Sequence, residues 1–353
     1  MLKIIIAILI FGLIIAIHEF GHFAVAKSCG IKVNKFAIGM GPRIVKFQKG
    51  ETEYSLRLFP IGGFCAMEGE DDSSDDKRAF NNKAVWQRML VVVAGAFMNV
   101  LLGFVLIIIL TSMGGKIPSM QIAGFHGVKN ESGQTTQYQS SSYECGLREG
   151  DVIYSVNGLR MFTDSDLVYE LSSSKENSFD LVVNRNGQKL EFNNVKFEDT
   201  KTKGMIDFYL KGLNKSPLNV VSYSAKDTVS IIRLTWLSLS DLITGQYSVN
   251  DLSGPVGIVS TIGQAASVGI NIKEKVMSLM NLTIFITINV GICNLLPIPA
   301  LDGGRFMFLL VEAVRRKPVK PEHEGYVHVA GMFLLFAFMI FVTYNDILKL
   351  IKG

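Results

Sequence analysis

Charge is what this chain of 353 residues has least of: Lys, Arg, Asp and Glu make up 19% of it, and the formal net charge is +4. So small an excess, with no arginine-rich stripe and no basic residues interleaved with aromatics, sets nucleic acid aside as a partner. Cysteine is sparse as well. Cys29, Cys65, Cys145 and Cys293 are scattered without a Cys-x-x-Cys pair, so they argue for neither a disulfide framework nor a cysteine-ligated zinc site. What the chain has in quantity is apolar residues, 48% of the total, the composition of a membrane protein.

Four stretches are apolar over the roughly 20 residues that a helix needs to cross a bilayer: Ile4 to Ala26, Met89 to Met113, Ser278 to Leu296 and Tyr326 to Leu348. Lys27 to Arg88 carries eleven Lys and Arg, and Arg305 to Lys320 carries five, which places both connections in the cytoplasm. An even number of spans then puts both termini and the long connection from Gly114 to Met277 outside. Lys3, the apolar run and Ala24-Val25-Ala26 also imitate a cleavable signal peptide. Charged residues directly after the apolar run, and a basic flank beyond them, argue instead for a retained span.

The first span ends in His18-Glu19-Phe20-Gly21-His22. Residues four apart share a helix face, so two imidazoles can meet one metal ion while Glu19 reaches a water beside it. Ionisable groups at membrane depth are costly, and three together predict a site. A catalytic zinc needs a third protein ligand and an open position. "NVGICNLLPIPALDGGRF", residues 289 to 306, ends the third span with Pro297 and Pro299 and then delivers Asp302. Taken alone it reads better as a helix stop and turn, but a broken helix at membrane depth belongs where it lines a site, and the two motifs occur together.

HExxH in one span and NxxPxPxLDG, Asn294 to Gly303, in a later one are the paired motifs of the site-2 protease family of intramembrane zinc metalloproteases. Nearly the whole chain resembles that family, and most closely its bacterial RseP and RasP type with one PDZ-like domain. The resemblance implies Zn²⁺ held by His18, His22 and Asp302, Glu19 as the catalytic acid/base, and Asn289 and Asn294 holding the substrate backbone. It also implies single-span membrane proteins as substrates of regulated intramembrane proteolysis, anti-sigma factors or signal-peptide remnants among them. Similar proteins often carry Gly-Pro-x-x-Asn in the second span. Here Gly95-Ala96-Phe97-Met98-Asn99 lacks the proline, so Asn99 is assigned no catalytic task, and a helix–helix hydrogen bond is an equal reading.

Two extended runs, Arg43 to Gln48 and Thr52 to Leu58, join at Lys49-Gly50. Such a hairpin could pair its edge with an unwound substrate, and similar proteins place a re-entrant hairpin of this kind beside the metal; it could equally lie on the membrane surface. "YECGLREGDVIYSVNGLRM", residues 143 to 161, resembles a PDZ core. Asp164 could cap a helix through Leu171, Asn186-Gly187 signals a hairpin, and Lys129 to Ser142 reads as a loop. Such a domain could capture an exposed peptide C-terminus, exclude bulky substrates, or act as a spacer. Val221, Ala225, Val229, Ile232, Trp236, Leu239 and Ile243 form an apolar helix face, while Lys226, Asp227, Arg233 and Asp241 oppose a fifth span. The expectation is an amphipathic helix on the outer membrane surface, or packed on the external domain. "LSGPVGI", residues 252 to 258, also resembles the family and suggests only a turn.

The expected architecture is a polytopic α-helical membrane protein with four transmembrane helices, a membrane-associated β-hairpin and an inserted extracytoplasmic PDZ-like α+β domain. Its parts are residues 1–113, 116–215, 216–277 and 278–353. It sits in the lipid bilayer of the cell membrane, multi-pass, with the PDZ-like domain and both termini extracytoplasmic. Two other readings stand beside it. One is a membrane zinc protease with glutamate as third ligand, against which Asp302 after the prolines argues; the other is a non-catalytic receptor, against which an intact Glu19 argues.

Overall fold

The computed structural model describes residues 2–70, 74–125, 127–129, 135–138, 140–174, 178–197, 206–245, 252–319 and 321–352. Helix α1 (Leu2–Ser28) leads into two long strands, β1 (Val33–Lys49) and β2 (Thr52–Met67), and then into α2 (Val85–Met113). A strand-rich stretch follows: β3 (Ile117–Phe125), β4 (Gly127–Lys129), β5 (Thr135–Tyr138), α3 (Ser141–Glu144), β6 (Val152–Val156), β7 (Leu159–Arg160), α4 (Asp164–Ser173), β8 (Ser178–Arg185), β9 (Gln188–Lys196) and β10 (Phe208–Leu213). Helices α5 (Pro217–Ile243), α6 (Pro255–Ala265), α7 (Ile272–Asn294), α8 (Asp302–Arg315) and α9 (Pro321–Lys352) complete the chain. Among the described residues, α1, α2, α7 and residues 323–351 of α9 are long and apolar enough to cross a membrane. The chain divides into two compact units, residues 1–106 with 238–353, and residues 107–237.

In the first unit small residues let helix backbones close on one another, the usual device where lipid offers no hydrophobic drive to association. A Cβ at Gly21 of α1 would collide with the Ala94 carbonyl of α2 and come within 2.8 Å of Met98 Cγ; one at Gly291 of α7 would lie 2.9 Å from the Ala96 carbonyl oxygen. One apolar cluster joins α1, α6 and α7 through Ala7, Ile14, Ile262 and Ile286. A second joins Ala26, Val33, Met67, Val91 and Leu309, tying the end of α1 to the hairpin base, α2 and α8. β1 and β2 pair antiparallel from Val33 opposite Met67 to Lys49 opposite Thr52, well beyond the two short runs legible from alternation. The extension is irregular: the register shifts repeatedly, with Gly39 and Gly62 at positive φ where the ladder slips.

Helix α7 stops at Asn294 because Pro297 and Pro299 cannot continue it, and α8 restarts at Asp302. The stretch from 252 to 258 is more than a turn. Gly254 is the N-cap of α6 and Pro255 its first residue, and the buried Asp346 of α9 accepts from the Gly254 and Gly257 N–H groups at 3.1 and 2.7 Å.

The second unit is an antiparallel sheet ordered β10-β3-β6-β8-β9, with β7 beside β6. Its core holds Ile122, Leu147, Ile153, Leu167, Leu181, Val183 and Phe208. Asn186 and Gly187, both at positive φ, make the β8–β9 turn as the sequence suggests. The α4 cap falls one residue earlier than expected, at Thr163, because the Asp166 carboxylate reaches back to the Thr163 N–H at 3.0 Å; the helix then runs to Ser173. In the segment expected as a loop, β4 and β5 pair with each other; residues 130–134 and 139 lie outside the described residues.

Helix α5 packs differently from its apolar pattern. Val221, Val229 and Trp236 are about half exposed, whereas Ser224, Asp227, Thr228 and Ser230 are buried. The buried side is polar because it meets the polar start of α4: Thr163 and Ser165 donate to Asp227, Tyr223 donates to Asp164, Ser230 donates to Asp166, and Arg233 pairs with Asp166. Burial outweighs the two hydroxyl bonds and holds the Asp227 carboxyl above the usual carboxylate range.

Candidate metal centre

His18 and His22 lie one turn apart on α1, so both rings leave the helix on the face that meets α2. Their Nε2 atoms are 3.1 Å apart with the ring planes at 78°. Asp302, the first residue of α8, brings Oδ2 to 3.0 Å from His18 Nε2 and 3.5 Å from His22 Nε2. Three donor atoms from two distant parts of the sequence therefore converge, all within 4.8 Å of one another. Asp302 Oδ2 is buried and has no partner of good hydrogen-bond geometry among the described residues, although both imidazole Nε2 atoms lie within 3.5 Å of it.

Helix α2 shapes that centre. Val91, Gly95 and Asn99 recur every four residues and present one face to the histidines. The Val91 carbonyl accepts from His22 Nδ1 at 2.8 Å, which fixes the tautomer and leaves the Nε2 lone pair facing inward. Gly95 provides room: a Cβ there would lie 2.7 Å from His18 Nε2 and closer still to His22 Nε2. The Asn99 amide nitrogen lies 3.3 Å from His18 Nδ1. A His18 ring that offers Nε2 to a metal carries its proton on Nδ1, and the amide turned over meets that proton with Oδ1, which has no other partner. Thr287 of α7 donates to the Asn99 carbonyl at 3.1 Å and holds the helix in place. The helix–helix hydrogen bond read for Asn99 thus ends on a histidine of the centre. Its signal in the sequence was the likeness of Gly95 to Asn99 to the family's Gly-Pro-x-x-Asn pattern.

Glu19 stands beside the hairpin. Its Cγ would be 3.1 Å from a Cβ at Gly63, and the Cys65 backbone N–H faces its carboxylate, so β2 runs alongside this side chain. Asn289 is half-buried on α7 and its amide donates to the Phe285 carbonyl one turn back at 2.7 Å; Asn294 closes the same helix. Neither supplies one of the three converging atoms.

Helix α8, which carries Asp302, is anchored by ion pairs. Arg88 of α2 meets Glu312 through two bonds, 2.5 and 3.1 Å, with both side chains largely buried. Arg305 holds the Glu70 carboxylate at 2.6 Å and the Glu70 carbonyl at 2.7 Å. The start of α8 also places the Asp302 carboxylate at a helix N-terminus, where negative charge is favoured.

Two imidazoles and a carboxylate around a glycine-lined space, with one imidazole fixed by a backbone carbonyl, form the donor set and the surroundings that suit zinc. Residues 6–338 match peptidase family M50. The regulator of sigma-W protease RasP of Bacillus subtilis is 33% identical over 97% of both chains. The zinc metalloprotease RasP of Bacillus licheniformis is 32% identical over 97% of this chain and 98% of its own, and that of Geobacillus kaustophilus 31% identical over 97% of both. With nearly its whole length matched and a zinc-type donor set assembled from α1 and the start of α8, the chain belongs to peptidase family M50, the site-2 proteases, and is a zinc metalloprotease.

Proposed function

We propose that His18, His22 and Asp302 hold the zinc, that Glu19 is the catalytic acid/base, and that the enzyme cuts peptide bonds within transmembrane segments of single-span membrane proteins. The observation that carries this is the convergence of the three ligand atoms at 3.0 to 3.5 Å from two broken-up parts of the bilayer-spanning chain. Zinc at this place supplies Lewis acidity, polarising a carbonyl and making water nucleophilic near neutral pH. Glu19, alone among the four in lying outside the converging set, takes the proton of the attacking water on a carboxylate oxygen and returns it to the departing amine.

A helical substrate hides its carbonyls in its own hydrogen bonds, so it must unwind before attack. The β1–β2 hairpin supports a means. β2 passes Glu19, and an edge strand there offers backbone partners to an extended substrate. Exposed Met40, Ile44, Val45, Phe47, Leu58 and Phe59 suit a hairpin inserted in lipid. Asn289 and Asn294, at the end of α7, would bond to the same extended backbone.

The antiparallel sheet of the second unit, with α4 beside it, is read as a PDZ-like domain that either receives a peptide C-terminus or excludes substrates with large external parts. α5 rests its exposed Val221, Val229 and Trp236 on the outer leaflet while its polar side holds that domain. This reading puts the sheet domain and both termini outside the cell. One relative is named a regulator of sigma-W protease; by likeness, the substrates here include membrane proteins that restrain a sigma factor.

The test is reconstitution of the full chain in lipid with a single-span substrate. A cut mapped by mass spectrometry to the apolar segment, absent with Glu19→Gln, supports the proposal; cuts confined to soluble parts contradict it.

A further inference from the structure

Ala300 has φ +76°, a left-handed value that a residue with a side chain keeps only where its surroundings enforce it. It lies two residues before Asp302, in the turn between α7 and α8. The enforcement comes from α9. The Ala300 N–H donates to Nδ1 of His328 at 3.0 Å. Helix α9 can approach so closely because position 331 is glycine, where a Cβ would lie 2.6 Å from the Pro299 carbonyl oxygen.

The ring has a partner on its other side. His328 Nε2 is 3.8 Å from Glu324 Oε1, and Glu324 is 3.7 Å from Arg305 Nε, the side chain that also binds Glu70. Since Nδ1 accepts, the imidazole proton sits on Nε2 and faces a carboxylate, which favours this tautomer.

We propose that His328 is a positioning residue for the reaction: by bracing the left-handed turn at Ala300 it aims Asp302 at His18 and His22 without touching the metal. The inference rests on Asp302 being the third ligand. The two histidines are fixed by α1 and α2, and α8 is held by its ion pairs, so the aim of its first residue, Asp302, is set last by the turn that precedes it. Within that turn Leu301 N–H bonds to the Ile298 carbonyl at 3.2 Å, and a Cβ at Gly304 would lie 2.5 Å from the same oxygen, so the loop is folded tightly on the start of α8. Removing the acceptor at His328 leaves the Ala300 N–H unpaired at membrane depth and frees the turn to return to negative φ. Asp302 then swings away from its two fixed partners.

The test uses the full-length enzyme in lipid with His328→Ala, His328→Asn, His328→Gln, the double variant His328→Ala with Ala300→Gly, and Asp302→Ala. Zinc release to a chelator, the visible spectrum of the cobalt-loaded protein, and kcat and KM on a single-span substrate are read together. His328→Ala should lose zinc about 10–100-fold faster, shift the cobalt spectrum and lower kcat more than it changes KM. Asparagine can place an oxygen near the Nδ1 position and should keep wild-type behaviour, whereas glutamine reaches the Nε2 position and should resemble alanine. Glycine at 300 reaches positive φ without a brace and should restore much of what His328→Ala loses. Wild-type zinc release and spectrum in His328→Ala, or identical behaviour of the Asn and Gln variants, overturns the inference. If His328→Ala fails to fold, the Asn and Gln pair decides. Zinc retained at full affinity by Asp302→Ala would refute the ligand assignment itself; zinc lost there with the His328 variants unchanged would refute only the role of His328.

Discussion

Gly95 of α2 faces His22 of α1 so closely that no side chain fits between them: a Cβ at Gly95 would fall against His22 Nε2 and 2.7 Å from His18 Nε2. The space where two histidines and Asp302 converge exists because this residue has none. Gly95→Ala should therefore push the rings apart and weaken zinc binding by at least the 10–100-fold typical of disturbed surroundings of a metal site. Equilibrium competition with a chelator measures it, and unchanged affinity would show that the helices yield instead.

The Arg88–Glu312 pair is largely buried, so removing one partner strands a charge. Glu312→Ala should cost about 3–5 kcal/mol of stability, while Arg88→Met with Glu312→Leu should recover much of it. Thermal unfolding in detergent compares the three. A single variant as stable as the double would mean that the pair is wet.

Burial holds the Asp227 carboxyl above its ordinary pKa, so the folded state binds its proton more tightly than the unfolded chain does. Its contribution to stability is full below the ordinary carboxyl pKa and is lost as pH rises through the folded value. Asp227→Asn keeps an oxygen for the Thr163 and Ser165 hydroxyls without the charge. It should raise the melting temperature at pH 7 to 8, with the gain shrinking toward pH 4. A gain that grows on acidification would reverse the assignment.

Asn289→Leu and Asn294→Leu remove amides of the last two turns of α7 and leave the three converging atoms untouched. Cleavage should fall about tenfold or more, as expected when a bond made to the reacting substrate is lost, with zinc content unchanged. Loss of zinc in step with activity would assign these residues to the broken helix instead.

The convergence of three donor residues was legible because its signals are discrete: His18 and His22 at helical spacing, and Asp302 behind two prolines that no span can absorb. The α2 face was hidden for a physical reason. Of its members, Val91 acts through its carbonyl, Gly95 through lacking a side chain, and only Asn99 through a group that the sequence shows. α5 was read as an amphipathic helix from its apolar stripe, which does not say which side meets protein. Its protein contact is made by Asp227, Ser230 and Arg233, which bond to the polar start of α4, leaving Val221, Val229 and Trp236 exposed. The hairpin extends beyond its alternating runs because Gly39 and Gly62 carry it through bulges that break the alternation. His328 showed in the sequence only as an ionisable residue inside the fourth apolar stretch, and its partner, the backbone N–H of Ala300, showed not at all.

Zinc per chain, measured on purified protein beside cleavage of one single-span substrate, tests the assignment of the centre most directly. Wild type and Glu19→Gln should each hold about one zinc, because the role proposed for Glu19 is to carry a proton and not to bind the metal, and only the wild type should turn over. His18→Ala, His22→Ala and Asp302→Ala should lose both zinc and turnover. Full proteolysis by Glu19→Gln, or one zinc retained by Asp302→Ala with normal affinity, would contradict it.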